Sequence, residues 1–89
     1  MSTSVKHTNF ISEPMGEKPV TDLPGVGDVL GKRFCEEGYD KAYVVLGQYL
    51  MFKKNKSYFQ DWMKELIGCN NKQSSDCFDA LDEWAQSNL

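Results

Sequence analysis

The segment with the most chemical content runs from Val20 to Phe34: Val-Thr-Asp-Leu-Pro-Gly-Val-Gly-Asp-Val-Leu-Gly-Lys-Arg-Phe. It has the form of a helix-hairpin-helix over about 19–37. An apolar residue and a Gly-apolar-Gly turn lead into a helix whose fourth residue, Gly31, is small. Gly25 and Gly27 allow backbone angles closed to other residues and leave their amides uncovered. Val26 is expected to point back and lock the turn onto the core. The helix opening at Asp28 leaves its first amides unpaired at the positive end of its dipole, which suits an anion such as a phosphate. Gly31 would let the two hairpin helices approach closely. Lys32 and Arg33, a turn further on, are placed to reach a nucleic-acid backbone. Contacts of this kind hold phosphates and read no base edges, so they predict salt-dependent, sequence-blind duplex binding.

Two other segments offer the same chemistry. Gly68-Cys-Asn-Asn-Lys-Gln-Ser-Ser precedes the last helix. Asn70, Asn71 and Gln73 can donate hydrogen bonds, Lys72 adds charge, and another set of helix amides opens outward. Read plainly, the same residues make an ordinary capped loop. Lys6 is the third candidate, against the plain reading of an arbitrary surface lysine. Some helix-hairpin-helix turns hold a monovalent cation on their carbonyls, and the sequence leaves that open here.

The elements that must carry these groups are all helical. Ser4 is placed to cap a helix running to about Ile11, with Val5 and Phe10 or Ile11 inward. Glu13-Pro14-Met15-Gly16 breaks it. Pro19 suits the first turn of a short helix over 19–24. The next helix spans Asp28 to about Glu37, with Asp28 as its cap and Gly38 as its stop. Residues 41–54 (KAYVVLGQYLMFKK) are apolar almost all round. A surface helix would carry one apolar stripe, so this one is expected to be covered on two sides. The run AYVVL also suits a strand, but its length and punctuation favour a helix. Asn55 breaks the run, Ser57 caps a helix over 58–67, and Gly68 stops it. A final helix spans about 73–87, with Cys77, Phe78, Leu81, Trp84 and Ala85 facing in.

Eighty-nine residues suit one domain, 1–89, and 11 aromatic residues can build its core. A domain of this size buries only about 60% of its unfolded surface, so a dimer interface would add stability. Gly47 falls in the middle of the apolar helix, where glycine costs about 1 kcal/mol relative to alanine. Close approach of a partner backbone or peptide would account for it. Net charge is −3, which excludes a simple polycation. Residues 1–34 balance to zero, 35–72 carry +1, and 73–89 carry −4. Binding to an anion must therefore rest on local geometry. Cys35, Cys69 and Cys77 are odd in number and form no CxxC pair, so reduced thiols are expected rather than a disulfide framework or zinc site. No run of eighteen apolar residues predicts membrane insertion, and MSTSVKHTNF lacks the apolar stretch of a signal peptide. An enzyme is the rival class, because helix-hairpin-helix units occur in glycosylases and nucleases. One histidine, His7, has no partner pattern, and Asp22 and Asp28 flank the turn without metal-like spacing. No catalytic residue, metal or cofactor is expected.

SVKH near the start, EPMGEKPV, the GVG turn with VLGK, GYDKAYVVLGQYL and the late NxKQS run together resemble the barrier-to-autointegration factor family over essentially the whole chain. The resemblance implies an all-α, compact five-helix homodimer that binds two DNA duplexes on opposite sides and bridges them. It places DNA contacts at Lys6, Gly25, Gly27, Val29, Leu30, Asn70 and Lys72. It also implies a groove across the dimer for LEM-domain proteins of the inner nuclear membrane. Val44, Gly47, Leu50, Met51, Lys53 and Lys54 are the residues expected at that dimer and partner face. Contacts with lamins and histones would follow, with residence in the nucleus, at chromatin and the nuclear envelope, and in the cytoplasm. Ser2, Thr3 and Ser4 match the stretch on which vaccinia-related kinases act in the family. Each phosphate there would add roughly −1.5 to −2 charge beside Lys6. Two departures bear on strength. Ser75 stands where the family commonly has a basic residue, and Asn71 where it has a small apolar one. Loss of one phosphate contact flattens the salt slope by roughly one unit. A divergent paralogue acting mainly as a protein adaptor is the alternative.

Overall fold

The chain was analysed as a computed structural model that describes residues 4–89. Five α-helices account for it: α1 (Val5–Ser12), α2 (Asp28–Glu36), α3 (Ala42–Met51), α4 (Lys56–Ile67) and α5 (Asn71–Asn88). A single 3-10 turn, Val20–Asp22, precedes α2. Among the described residues the only β pairing is an isolated bridge between Pro19 and Lys41. It is held by the Val20 amide donating to Asp40 at 3.0 Å and the Ala42 amide donating to Lys18 at 2.9 Å. This bridge ties the start of α3 to the segment before the Gly-Val-Gly turn.

Local chemistry sets the helix ends. Ser4 caps α1 by accepting the His7 amide at 3.1 Å, as expected. Asn55, not Ser57, caps α4, accepting the Tyr58 amide at 3.0 Å. Gly27, not Asp28, is the cap residue of α2, and no side chain bonds its first amides. The helix expected over 19–24 shrinks to the 3-10 turn, because Pro24 and Gly25 leave too few residues for a second helical turn. The helix expected over 41–54 stops at Met51. Lys53 and Lys54 beyond it take left-handed backbone angles, φ 57° and 64°. Such angles cost about 1–2 kcal/mol per residue for L-amino acids.

The core joins all five helices. Phe10, Val20, Leu23, Val26, Phe34, Val45, Tyr49, Phe59, Met63, Ile67 and Leu81 are buried. Trp62 sits against Phe34, Tyr39, Phe52 and Phe59 with ring centroids 5.3–6.0 Å apart, the tilted and edge-on spacing aromatic rings prefer. Val5 departs from expectation: it points to solvent, and Phe10 alone anchors α1 as a fully buried side chain. Buried polar groups are paired. Trp84 donates to the Glu13 carbonyl at 2.9 Å, closing the loop after α1 onto α5. Tyr49 donates to Asp82 at 2.6 Å, and burial together with that bond pushes its phenol pKa up. Cys69 and Cys77 are buried free thiols and Cys35 is exposed. Burial pushes the Cys77 thiol strongly upward, which suits an inert core group.

Gly31 carries a close approach. A Cβ there would lie 2.4 Å from Thr21 Cγ2, so the 3-10 turn rests directly on the α2 backbone. Gly31→Ala is expected to cost about 1–3 kcal/mol by overpacking. Thr21→Ser, which removes the obstructing methyl, should recover most of that loss. Urea midpoints for the two single variants and the double variant decide it; strictly additive effects would mean that Thr21 is not the obstacle.

Candidate nucleic-acid interface

Three segments far apart in sequence meet at one end of the molecule. Gly25, at φ +82°, lies so close to the start of α5 that a Cβ would sit 2.3 Å from the Gln73 carbonyl oxygen. Lys6, on the first turn of α1, donates its ammonium to the Val26 carbonyl at 2.7 Å. The Gly-Val-Gly turn is therefore clasped between α1 and the start of α5. The first amides of α2 carry no side-chain cap, and of those of α5 the Gln73 amide is taken by Asn70.

The α5 start is built as a capping box. Asn70 Oδ1 accepts the Gln73 amide at 2.8 Å, and Gln73 Oε1 accepts the Asn70 amide at 2.9 Å. Both side-chain oxygens face the helix, which leaves each –NH₂ group as a donor. Ser74 is fully buried beneath the cap, its hydroxyl on the Asn70 and Asn71 carbonyls, both at 3.0 Å. Gln60 of α4 donates to Ser74 Oγ at 2.9 Å and to the Asn71 carbonyl at 3.2 Å, fixing the cap on α4. Lys72 is exposed and pairs with Asp76 at 2.9 Å, one turn further along.

The structure sorts the candidates by what each can offer. Val29 is 65% exposed beside the turn. Val26 and Leu30 are buried, so only their backbone groups can face a ligand. Val26 does lock the turn inward, as expected. Arg33 takes a structural role. Its guanidinium donates to the Ile67 carbonyl at 2.8 Å, capping the end of α4. Sequence alone did not identify Gln60 or the Val26 carbonyl. Of Ser2, Thr3 and Ser4, the first two lie outside the described residues.

Each acid of the last segment has a partner, two of them lysines. Asp76 pairs with Lys72, Asp79 with Lys56 at 2.9 Å, and Glu83 with His7 at 3.3 Å. Asp82 accepts from Tyr49 and from Gln86. Two of the four negative charges of residues 73–89 are thus offset by lysines, Lys72 and Lys56. Among the described residues no cluster of three or more His, Cys, Asp or Glu is placed to hold a metal ion. Among the same described residues no helix is long and apolar enough to cross a membrane.

A second surface lies on α3. Gly47, Leu50 and Met51 share a face with Tyr43 and Val44 at helical spacing. Met51 is 78% exposed, Tyr43 45% and Leu50 40%. Lys53 and Lys54 stand exposed at its end. A Cβ on Gly47 would meet nothing within 4 Å, so the protomer itself has no need of glycine there.

Fold and site define a small all-helical protein that sets two helix N-termini and two lysines around one glycine turn. The family model described as barrier to autointegration factor matches residues 1–88. Barrier-to-autointegration factor of Mus musculus is 57% identical over 89 residues, and that of Homo sapiens 56%, each comparison covering 100% of both chains. The Drosophila melanogaster protein of that name is 52% identical over 87 residues, covering 98% of this chain and 97% of its own. The chain belongs to the barrier-to-autointegration factor family.

Proposed function

We propose that this protein is a non-enzymatic, sequence-independent binder of double-stranded DNA. The supporting observation is the meeting of Lys6, the Gly25–Gly27 turn and the capped start of α5 at one surface. In this reading the turn and α2 form a helix-hairpin-helix. A phosphate lies against the free amides of α2, with Gly25, Gly27, Val29 and the Leu30 backbone beneath the strand. A second phosphate lies at the α5 start, met by Asn70, Asn71, Lys72 and Gln73. Lys72 exchanges Asp76 for the phosphate. Arg33 spends one guanidinium nitrogen on the Ile67 carbonyl and keeps its other donors, on an exposed side chain, for the DNA backbone.

Two copies joined through the α3 face would carry two such surfaces and bridge two duplexes. The apolar stripe ending in Lys53 and Lys54 would also seat LEM-domain proteins of the inner nuclear membrane. Contacts with lamins and histones are part of the same reading. So is residence at chromatin and the nuclear envelope, with a cytoplasmic pool. Phosphorylation at Ser4 would oppose DNA by charge rather than by unfolding α1, since a phosphate at the cap position suits the helix dipole.

The test is duplex binding across a salt series, using short blunt DNA of arbitrary sequence, fluorescence anisotropy and light scattering. Two ammonium groups per site predict a slope of log K against log salt of about −2 per duplex. Two duplexes per dimer and indifference to sequence are expected, with Ser4→Glu weakening binding while its helix content holds. One observation favours the adaptor reading: Lys72 is already paired within the chain, and Ser75 beside it is uncharged. Absent duplex binding at low salt, with the partner face still active, would establish the adaptor instead.

A further inference from the structure

We infer that Lys6 is the resident cation of the Gly-Val-Gly turn: its ammonium occupies the Val26 carbonyl, and the turn therefore needs no alkali metal ion to hold its shape. The inference rests on the DNA-binding reading only for its second readout.

The geometry supplies the argument. The turn bends through Gly25 at φ +82°, and the Val26 side chain goes into the core while its carbonyl faces α1. That oxygen receives no backbone amide; its donor is Lys6 Nζ at 2.7 Å. An ammonium and a potassium ion have similar size and the same charge, so a carbonyl that suits one suits the other. The surroundings favour a cation in either form. An open groove of about 150 Å³ on the other side of the Lys6 chain is lined by Asn9, Phe10, Glu13, Lys18 and Asp22; the Val26 carbonyl is not part of it. Glu13 is already paired with Lys18, which leaves the Asp22 carboxylate and the Asn9 amide oxygen as further oxygen groups there. The groove has room for several waters, through which a hydrated ion reaches the carbonyl once the lysine chain is gone.

Lys6 thus does two things. One N–H holds the turn against α1, and the remaining two are left for the DNA backbone. It is a positioning residue for the turn as well as a phosphate ligand. A lysine acting only through its charge would weaken binding equally in every salt. A lysine filling a cation site leaves behind a site that a metal ion can fill.

The experiment compares the wild type, Lys6→Met and Lys72→Met in potassium, sodium and choline chloride at one fixed ionic strength. Thermal unfolding is read without DNA, and duplex affinity separately. The wild type is expected to melt at the same temperature in all three salts, with affinity changing by less than about twofold. Lys6→Met should melt lower in choline than in potassium or sodium. Its affinity should fall by about tenfold in choline and recover severalfold with an alkali ion. Lys72→Met, which leaves the Val26 carbonyl filled, should weaken equally in the three salts. A wild type that requires potassium or sodium overturns the inference, as does a Lys6→Met variant blind to cation identity in melting. If no form binds duplex, the DNA reading fails while the melting comparison still decides the role of Lys6.

Discussion

Gly27→Asp is expected to leave the protein folded at wild-type stability or slightly above it, while lowering duplex affinity by about 30–100-fold. The two effects come from one position. Gly27 caps α2 at φ −91° and ψ −167°, extended angles that any residue adopts, and a Cβ there meets nothing within 4 Å. Aspartate is among the best cap residues, worth a few tenths of a kcal/mol over glycine. Its carboxylate would also satisfy the free α2 amides and complement the dipole. Those amides are the ones proposed to hold a phosphate, so the carboxylate would fill the anion site and repel the strand. Gly25 is the poorer choice for the same test. A side chain there is strained at φ +82° and collides with the Gln73 backbone. Gly25→Ala is expected to cost about 2–5 kcal/mol. Its loss of DNA binding would then report loss of structure. Thermal melts and anisotropy on both variants separate the cases. A Gly27→Asp protein that binds duplex like the wild type would remove the α2 amides from the interface.

The contrast between these glycines shows what the sequence made legible. Both stand in the Gly-Val-Gly motif, and local pattern marked them as a turn. It could not say that one abuts α5 while the other opens to solvent, because Gly25 and Gln73 are distant in the chain. The clasp of Lys6 on Val26 was hidden for the same reason: its partners share no helix face. Helix stops at Gly38 and Gly68 and the cap at Ser4 were readable, being set within a few residues. Asn70 and Gln73 carry the Asn-x-x-Gln spacing of a capping box, a signal that was present but read only as a set of donors. By pattern Asn55 reads as a breaker and Ser57 as the cap, though both types cap well. The choice fell to the residue just before Lys56, where the side-chain oxygen reaches the Tyr58 amide. Arg33 was assigned to DNA by its charge. The carbonyl it caps belongs to Ile67, on another helix. The concentration of acids in the last helix was legible, but not their partners: Asp76 and Asp79 meet lysines, Asp82 accepts from Tyr49, and Glu83 lies 3.3 Å from His7.

Gly47→Glu is expected to convert a dimer into a folded monomer that binds one duplex and bridges none. Within the protomer this substitution is free of collision, since a Cβ at Gly47 meets nothing within 4 Å. Alanine there should strengthen α3 by about 1 kcal/mol, and glutamate by nearly as much, because glycine is a poor helix former. That the chain carries glycine in an exposed apolar stripe points to something outside the protomer approaching closely. Tyr43, Leu50 and Met51 around it are 45%, 40% and 78% exposed, a contiguous apolar stripe of the kind that marks an interaction surface. A buried carboxylate at the centre of that contact would lack a counter-charge and cost several kcal/mol, more than a small interface can absorb. The surface proposed for DNA lies on the α1, α2 and α5 ends, away from this substitution. Single-duplex affinity should therefore remain within about twofold of the wild type once the loss of bivalency is allowed for. Sedimentation equilibrium reads the mass, circular dichroism the fold, and light scattering the bridged complexes. LEM-domain binding should be lost with the dimer groove. A Gly47→Glu protein that stays dimeric and still bridges would move the interface off α3 and leave its glycine without a reason.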